Sequence, residues 1–309
     1  MPERSDQYVL LLPERRRFAG QALSPRVGNW LARADRLADE GAGEQAQLQR
    51  YFHVSPAGWP LAAICRQAEF ADAEGACWLR ADPVFLRADI NGARLMAWGN
   101  LELSAADCAQ FVEALQPAFA DAAMTLSAGA GERWYLRLPA DAVLPAFAAP
   151  SEALGEDVLA HLPAGDVGKV WRRLLNEAQI ILHNHPLNVR RAGLGLPPIN
   201  SLWFWGGGRA PAAVHCAAQR LIGGDPELYA LARSAGMLAE SAGPDAVLFD
   251  LRRERNWAAL EQGPLQEALK ALKGTRSGLL LDFADGARWR LLAGQGWRFW
   301  RRPLAGLPA

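Results

Sequence analysis

The chain has 309 residues, of which 50% are hydrophobic and 21% are charged, a balance typical of a globular protein with ample material for a core. Lysine plus arginine and aspartate plus glutamate each total 33, so the formal net charge is zero and gives no reason to expect a nucleic-acid partner. No apolar run is long enough to predict a membrane span. The four cysteines form no Cys-x-x-Cys pair, so they predict neither a zinc site nor a disulfide framework. They favour a protein of the reducing cytoplasm, with its cysteines as small buried hydrophobic residues.

The first half of the chain is rich in predicted strands. Short apolar runs and alternating stretches predict strands over residues 8–13, 59–68, 76–89, 93–100 and 133–138. Apolar residues at helical spacing predict helices over 27–50 and 104–120, the second with Ser104 as its N-cap. A Pro- and Ala-rich run at 144–157 predicts a linker, so we place a domain boundary near residue 150, between parts 1–150 and 151–309. One continuous domain is the open alternative.

In the second half, predicted helices and strands alternate. Helices are expected over 166–184, 225–237 and 264–274. Strands are expected over 199–205, 211–219 and 245–251, followed by a hairpin around Asp285-Gly286. Between the first helix and the first strand we expect a loop in which Pro186 ends the helix. The pattern predicts an α/β fold, a mostly parallel sheet flanked by helices, with a strand-rich N-terminal half.

The segment "HNHPLNVRRAGLGLPPINSLWFWGGG", residues 183–208, holds the candidate site. His183 and His185 are the candidate catalytic residues, as general acid–base groups. Their spacing of two, without a nearby third ligand, argues against a metal site and favours a role for one of them as a cap at the C-terminal end of the helix. We therefore predict no metal and no cofactor.

The other polar side chains of this segment leave two interpretations open. Asn188 and Asn200 bind a ligand or stabilise turns through their own backbone contacts. Arg190 and Arg191 form a bidentate clamp for a phosphate or carboxylate, or a solvated pair on a loop.

The end of the predicted strand, "WFWGGGR", indicates a ligand site more specifically than the polar residues before it. Consecutive glycines let a ligand approach the backbone closely and leave amides free for an anion. Trp203 and Trp205 alternate with Phe204, so the two tryptophans share one face. The predicted ligand-binding set is therefore His185, Asn188, Arg190, Arg191, Asn200, Trp203, Trp205, Gly206, Gly207 and Gly208.

These residues resemble a segment of the archaeal-type, cofactor-independent phosphoglycerate mutases of the alkaline phosphatase superfamily. In that family a helix ends in Asn-His-Pro-x-Asn, followed by an arginine, a Gly…Pro-x-Asn turn and a Trp-x-Trp-Gly-x-Gly strand end. The resemblance covers about residues 174–237. The whole chain resembles more closely the RpfE-type regulatory proteins of proteobacteria. The resemblance implies a degenerate core of the superfamily.

The chain departs from the mutases where their chemistry is performed. The resemblance implies two divalent metals and a serine nucleophile, with an aspartate ligand after the first strand. Here Pro13 and Glu14 follow that strand, and no histidine occurs after His215. Asp250 and Asp282 are isolated in the sequence.

We therefore expect a non-catalytic or regulatory protein, a pseudoenzyme, that binds a small anionic metabolite. One alternative is a metal-independent enzyme acting on a phosphorylated or carboxylated metabolite through His183 or His185. A second alternative is a purely structural segment, with function in a protein partner. No membrane or nucleic-acid partner is expected.

Overall fold

The computed structural model describes residues 6–89, 92–237, 246–271 and 278–308. Its strands are β1 (Asp6–Leu12), β2 (Asp35–Arg36), β3 (Phe52–Ser55), β4 (Cys77–Asp89), β5 (Gly92–Trp98), β6 (Thr125–Ala128), β7 (Trp134–Leu138), β8 (Ser201–Arg209), β9 (Ala213–Cys216), β10 (Arg220–Ile222), β11 (Val247–Asp250), β12 (Gly278–Phe283) and β13 (Arg288–Leu292). Its α-helices are α1 (Pro25–Arg33), α2 (Glu44–Gln49), α3 (Leu61–Phe70), α4 (Ala105–Ala120), α5 (Pro150–Ala153), α6 (Gly165–His183), α7 (Pro186–Gly193), α8 (Pro226–Ser234), α9 (Trp257–Gln262) and α10 (Pro264–Ala271). The predicted α/β class is confirmed.

The chain divides into two compact units, one formed by residues 1–53 and 213–309 and the other by 54–212. The expected boundary near residue 150 lies inside the second unit, where Pro150 begins the short helix α5. Among the described residues, no helix combines the length and the apolar character needed to cross a membrane.

The first unit contains a six-stranded sheet in the order β10-β11-β1-β12-β13-β2. The first four strands of that order are parallel, and β13 and β2 pair in antiparallel fashion. The predicted hairpin is confirmed as β12 and β13, and Gly286 adopts a φ of 88° in its turn. One face of the sheet is packed by a core that includes Leu10, Phe249 and Leu281.

The second unit is built on an antiparallel sheet in which the long strand β4 pairs with β5, β7 and β8. Helices α4 and α6 pack against it through a core that includes Phe111, Trp171 and Phe204. The predicted helix 104–120 is confirmed as α4, with the Ser104 hydroxyl accepting a hydrogen bond from the Asp107 amide. Strand β6 was not predicted from the sequence.

Four predictions about local structure were wrong. Residues 59–68 are predicted to be a strand, but helix α3 forms there, and its first five residues, Leu61 to Cys65, are all buried. A short, continuous apolar run of this kind suits a buried helix as well as a buried strand. The predicted helix 27–50 is two helices, α1 and α2, separated by β2 and a stretch that contains Gly41 and Gly43.

The other two corrections fall in the candidate segment. The expected loop after His185 contains helix α7, because Pro186 occupies the first helical position, where its missing N–H costs nothing. The glycines do not end the strand: β8 continues through Gly206, Gly207 and Gly208 to Arg209, because the strand keeps pairing with β4.

Candidate functional site

The two candidate histidines lie at a helix–helix junction. His183 is the last residue of α6 and is exposed. His185 is the N-cap of α7, and its Nδ1 accepts a hydrogen bond of 3.2 Å from the Leu187 amide. Partial burial lowers the pKa of His185, although a hydrogen bond with the Gln110 backbone opposes this shift. His185 therefore serves as a neutral capping group for the helix that follows it.

Asn188 is buried, and its carboxamide connects the end of α6 to the approach to β8. Its Nδ2 donates to the carbonyls of Leu182 and Ile199 at 2.7 and 2.8 Å, and its Oδ1 accepts from the Ile199 amide at 2.8 Å. Each of these contacts is with backbone. The side chain holds the segment together instead of facing an open space.

The two adjacent arginines have opposite environments. Arg190 is exposed and lies 3.4 Å from Asp107 in an ion pair. Arg191 is 5% exposed and donates to three carbonyls, those of Pro197 (Nε, 2.9 Å), Leu101 (Nη2, 2.5 Å) and Glu102 (Nη1, 3.4 Å). The guanidinium of Arg191 is thus directed at backbone, and the two residues do not form a clamp.

Asn200 completes the edge of strand β4. Its Oδ1 accepts from the Leu86 amide at 2.8 Å, and its Nδ2 donates to the Leu86 carbonyl at 2.7 Å. This is the pair of hydrogen bonds that a neighbouring strand makes, at the point where β8 stops pairing with β4. Asn200 extends the sheet with its side chain.

Trp203 and Trp205 project from β8, and Phe204 joins the core of the unit. The Trp203 indole donates to the Ala148 carbonyl at 2.9 Å. The Trp205 indole donates to Asp82 Oδ2 at 2.8 Å. Both indoles are therefore held by polar groups of the protein.

Asp82 is a fully buried carboxylate that no sequence motif had marked as a candidate. Besides Trp205, it accepts hydrogen bonds from the Trp98 indole at 3.0 Å and from the Trp134 amide at 3.2 Å. The Arg80 guanidinium binds it with two contacts of 2.8 Å. The sequence did contain a signal for this buried ion pair. Arg80 and Asp82 lie two apart on a predicted apolar strand, so their side chains share a face. This arrangement compensates the buried charge, and each carboxylate oxygen accepts at least two hydrogen bonds from the protein.

The glycines of β8 allow close packing on one side and form a cavity wall on the other. A Cβ at Gly206 would lie 3.3 Å from Leu61 Cβ, and one at Gly208 would lie 2.7 Å from Pro60 Cβ. Gly206 and Gly208 also have φ values of 65° and 147°, which disfavour other residues. Helix α3 can therefore approach β8 only because these positions lack side chains.

Two neighbouring cavities share the wall formed by Gly207, Gly208 and Arg209 together with Ala140. The first, of about 580 Å³, is lined further by residues 56–60, 74–76 and 210–212. The second, of about 430 Å³, reaches Cys77 and Asp141. We call the two together the glycine-walled cavity.

A separate cavity of about 640 Å³ lies beside helix α6. Its polar lining consists of His183, Asn200 and three further carboxamides, from Asn176, Gln179 and Asn184. The predicted site residues are thus divided: His183 and Asn200 line this cavity, whereas Gly207 and Gly208 line the glycine-walled cavity.

The residues present do not fit the two divalent metals that the resemblance implies. Pro13 and Glu14 follow β1, and Asp250 and Asp282 are each bound by an arginine. In the part of the chain that the structure describes, no group of three or more histidine, cysteine, aspartate and glutamate side chains is arranged to hold a metal ion.

About one fifth of the chain is similar to cofactor-independent phosphoglycerate mutases. No family model matches the chain. A probable 2,3-bisphosphoglycerate-independent phosphoglycerate mutase of Geobacter sulfurreducens is 42% identical over 62 residues, which are 20% of this chain and 16% of that protein. A phosphoglycerate mutase of Methanothrix thermoacetophila is 38% identical over 63 residues, with the same two shares. The similarity thus spans about one sixth of the length of these relatives.

Two solved structures align over most of the chain at low identity. The cofactor-independent phosphoglycerate mutase of Thermoplasma acidophilum aligns with a TM-score of 0.43 and 14% identity, covering 94% of this chain and 90% of its own. A protein of Pyrococcus horikoshii aligns with a TM-score of 0.44 and 12% identity, covering 94% and 88%.

Proposed function

We propose that this chain is a non-catalytic, phosphoglycerate-mutase-like protein that binds a small anionic metabolite in the glycine-walled cavity. The observation that carries the proposal is the position of Arg209, which is exposed and lines both parts of that cavity beside Gly207 and Gly208. A guanidinium next to glycine backbone suits a phosphate or carboxylate group.

The positive charge of Arg209 also acts on the smaller part of the cavity. Burial raises the pKa of the Cys77 thiol, and the charge of Arg209 opposes that rise. Cys77 lines the smaller cavity together with Arg209, so an anion bound there would benefit from the same field.

Two carboxylates restrict the class of ligand. Glu74 lines the larger cavity and Asp141 the smaller one. They disfavour a ligand with several negative charges, but they can accept hydrogen bonds from hydroxyl groups. We therefore propose a metabolite with one phosphate or carboxylate for Arg209 and at least one hydroxyl for Glu74 or Asp141.

The predicted clamp at Arg190 and Arg191 takes no part in this proposal, because Arg191 is committed to backbone carbonyls. Arg209, instead, makes the cationic contact with the ligand. The regulatory role, membership of the RpfE-type group and a cytoplasmic location stay predictions.

The test is a thermal-shift screen with phosphoglycerates, sugar phosphates and nucleotides, followed by calorimetry of any compound that raises the melting temperature. Replacing Arg209 with alanine is expected to weaken binding by about tenfold or more, the loss of one charge-assisted contact. Arg173→Ala is the matched control, since Arg173 is an exposed arginine on α6 that pairs with Glu177. If no compound shifts the wild type, or if Arg209→Ala binds as tightly as the control, the proposal is wrong.

One observation supports the alternative of a metal-independent enzyme. His183 is exposed and lines the cavity beside α6, whereas His185 is occupied as a helix cap. An activity on phosphorylated or carboxylated compounds that survives chelation and disappears in His183→Ala, but not in the control His53→Ala, would favour the enzyme, since His53 is an exposed histidine outside that cavity.

A further inference from the structure

Two aspartates flank the central strand of the six-stranded sheet near its carboxyl end. Asp250 on β11 and Asp282 on β12 are both in register with Leu11 of β1, one on each side. Residues in register on parallel strands share a face, so both carboxylates lie on the same side of the sheet. The carboxyl ends of parallel strands are where ligands and ions usually bind in open α/β sheets.

Asp282 is completely buried and bound by the two residues that follow α2. The Arg50 guanidinium donates to both carboxylate oxygens, from Nη2 to Oδ1 at 2.7 Å and from Nε to Oδ2 at 3.0 Å. The Tyr51 hydroxyl adds a hydrogen bond of 2.5 Å to Oδ2. Burial and the charge of Asp282 raise the pKa of Tyr51, which keeps that hydroxyl protonated as a donor.

Asp250 is bound in the same way by Arg252, which is 5% exposed. Nε donates to Oδ1 at 2.7 Å and Nη2 donates to Oδ2 at 2.8 Å. The same Nη2 donates to Asp225 at 2.9 Å, and Nη1 lies 3.7 Å from Glu44. Arg252 thus lies among three carboxylates that come from separate parts of the chain.

The charge balance of this cluster depends on the arginine. Burial disfavours the charged guanidinium, but the hydrogen bond with Asp250 and the charge of Asp225 outweigh it and raise the pKa of Arg252. Burial raises the pKa of Asp225 in spite of the opposing charge of Arg252. Without the guanidinium, the carboxylates of Asp225 and Asp250 would lie beside one another, largely buried, with no cation between them.

We infer that the guanidinium groups of Arg50 and Arg252 take the place of bound cations at this edge of the sheet. By occupying the carboxylates of Asp282 and Asp250, they prevent divalent metals from binding there. A hard divalent cation needs several oxygen ligands at about 2.0–2.6 Å. Here both oxygens of Asp250 and of Asp282 already accept N–H donors from a guanidinium fork. At Asp250, a metal ion would have to displace the buried guanidinium of Arg252 from the carboxylate, and separating a buried ion pair is strongly unfavourable.

The inference predicts that removing the internal cation creates the metal site that the wild type lacks. In Arg252→Ala, the space left by the guanidinium is bordered by the carboxylates of Asp225 and Asp250, with the partly exposed Glu44 at its edge. These three side chains are not arranged to hold a metal ion in the wild type, where the arginine lies among them. We expect the variant to melt at a lower temperature than the wild type and to be stabilised again by Mn²⁺. The wild type should melt at the same temperature in EDTA and in Mn²⁺.

Electron paramagnetic resonance of Mn²⁺ counts bound ions directly and does not depend on any activity. We expect no bound ion in the wild type and about one per chain in Arg252→Ala. Arg253→Ala is the matched control, because the neighbouring Arg253 is 72% exposed and lies 3.8 Å from Asp225; it should behave as the wild type does.

Two variants keep the test decisive if Arg252→Ala does not fold. Arg252→Lys retains a positive charge without the fork and should bind no Mn²⁺. Arg252→Met fills the volume without the charge and should gain Mn²⁺ binding. The inference is overturned if the wild type binds Mn²⁺ and loses it in Asp250→Asn, or if folded Arg252→Ala or Arg252→Met binds none. Neither result bears on ligand binding at Arg209, so the two proposals fail independently.

Discussion

Replacing Arg191 with alanine should destabilise the protein far more than replacing its neighbour Arg190. Arg191 is buried and makes two short charge-assisted hydrogen bonds to carbonyls, at 2.9 and 2.5 Å, and a longer one at 3.4 Å. Each short bond contributes about 1.5–3 kcal/mol, and its loss leaves a carbonyl unpaired. Allowing for partial rehydration of the cavity, we expect the free energy of unfolding to fall by about 3–4 kcal/mol.

Arg190→Ala is the internal control for this prediction. Its guanidinium is exposed and 3.4 Å from Asp107, and exposed ion pairs contribute about 0–1 kcal/mol. Urea unfolding followed by circular dichroism gives both values under the same conditions. Losses below about 1 kcal/mol in both variants would refute the structural role of Arg191. If Arg191→Ala were as stable as the wild type but had lost a ligand-induced thermal shift, the anion clamp predicted from the sequence would be correct after all.

Two further predictions concern buried or capping groups of the same unit. Asp82→Asn should lower the free energy of unfolding by about 3–5 kcal/mol, because it removes the negative charge that the buried Arg80 guanidinium binds. Urea unfolding measures this loss. A loss no larger than that of an exposed ion pair would contradict the role of Asp82 as a stabilising buried counter-charge. His185 has a lowered pKa, so the stability that it contributes is present above its ordinary pKa of 6.5 and is lost as the pH falls through the lowered value. His185→Ser retains an N-cap without that titration, and its unfolding free energy should fall less than that of the wild type between neutral and mildly acidic pH; identical pH profiles would show that the histidine is not the titrating group.

The local signals in the sequence predicted the elements whose pattern has a single interpretation. Strand β1, helix α6 and the β12–β13 hairpin form where an apolar run, a helical spacing and a turn dipeptide indicate them. The errors arose where two local interpretations had similar support. The apolar run at residues 59–68 suits a strand or a helix, and the packing of α3 against the glycines of β8 decides in favour of the helix.

In the candidate site, too, the sequence predicted the location, whereas the roles of the residues depend on the fold. The motif located the region, and the glycines that it contains do line a cavity. The roles of its polar residues depend on groups far away in the sequence: Asn200 binds the backbone of Leu86, Arg191 binds the carbonyl of Leu101, and Trp205 binds Asp82. None of these partners is adjacent to the motif, so no spacing within it could indicate that the donors and acceptors are already paired.

The sequence by itself determined the α/β class and the position of the unusual segment. Only the tertiary structure decided which side chains of that segment remain available to a ligand. It also revealed that Asp250 is bound by the buried Arg252 and Asp282 by the partly buried Arg50. The physical reason is that a buried polar group must find a partner wherever the fold brings one. The sequence shows that a polar side chain is present, but only the fold determines which group it pairs with.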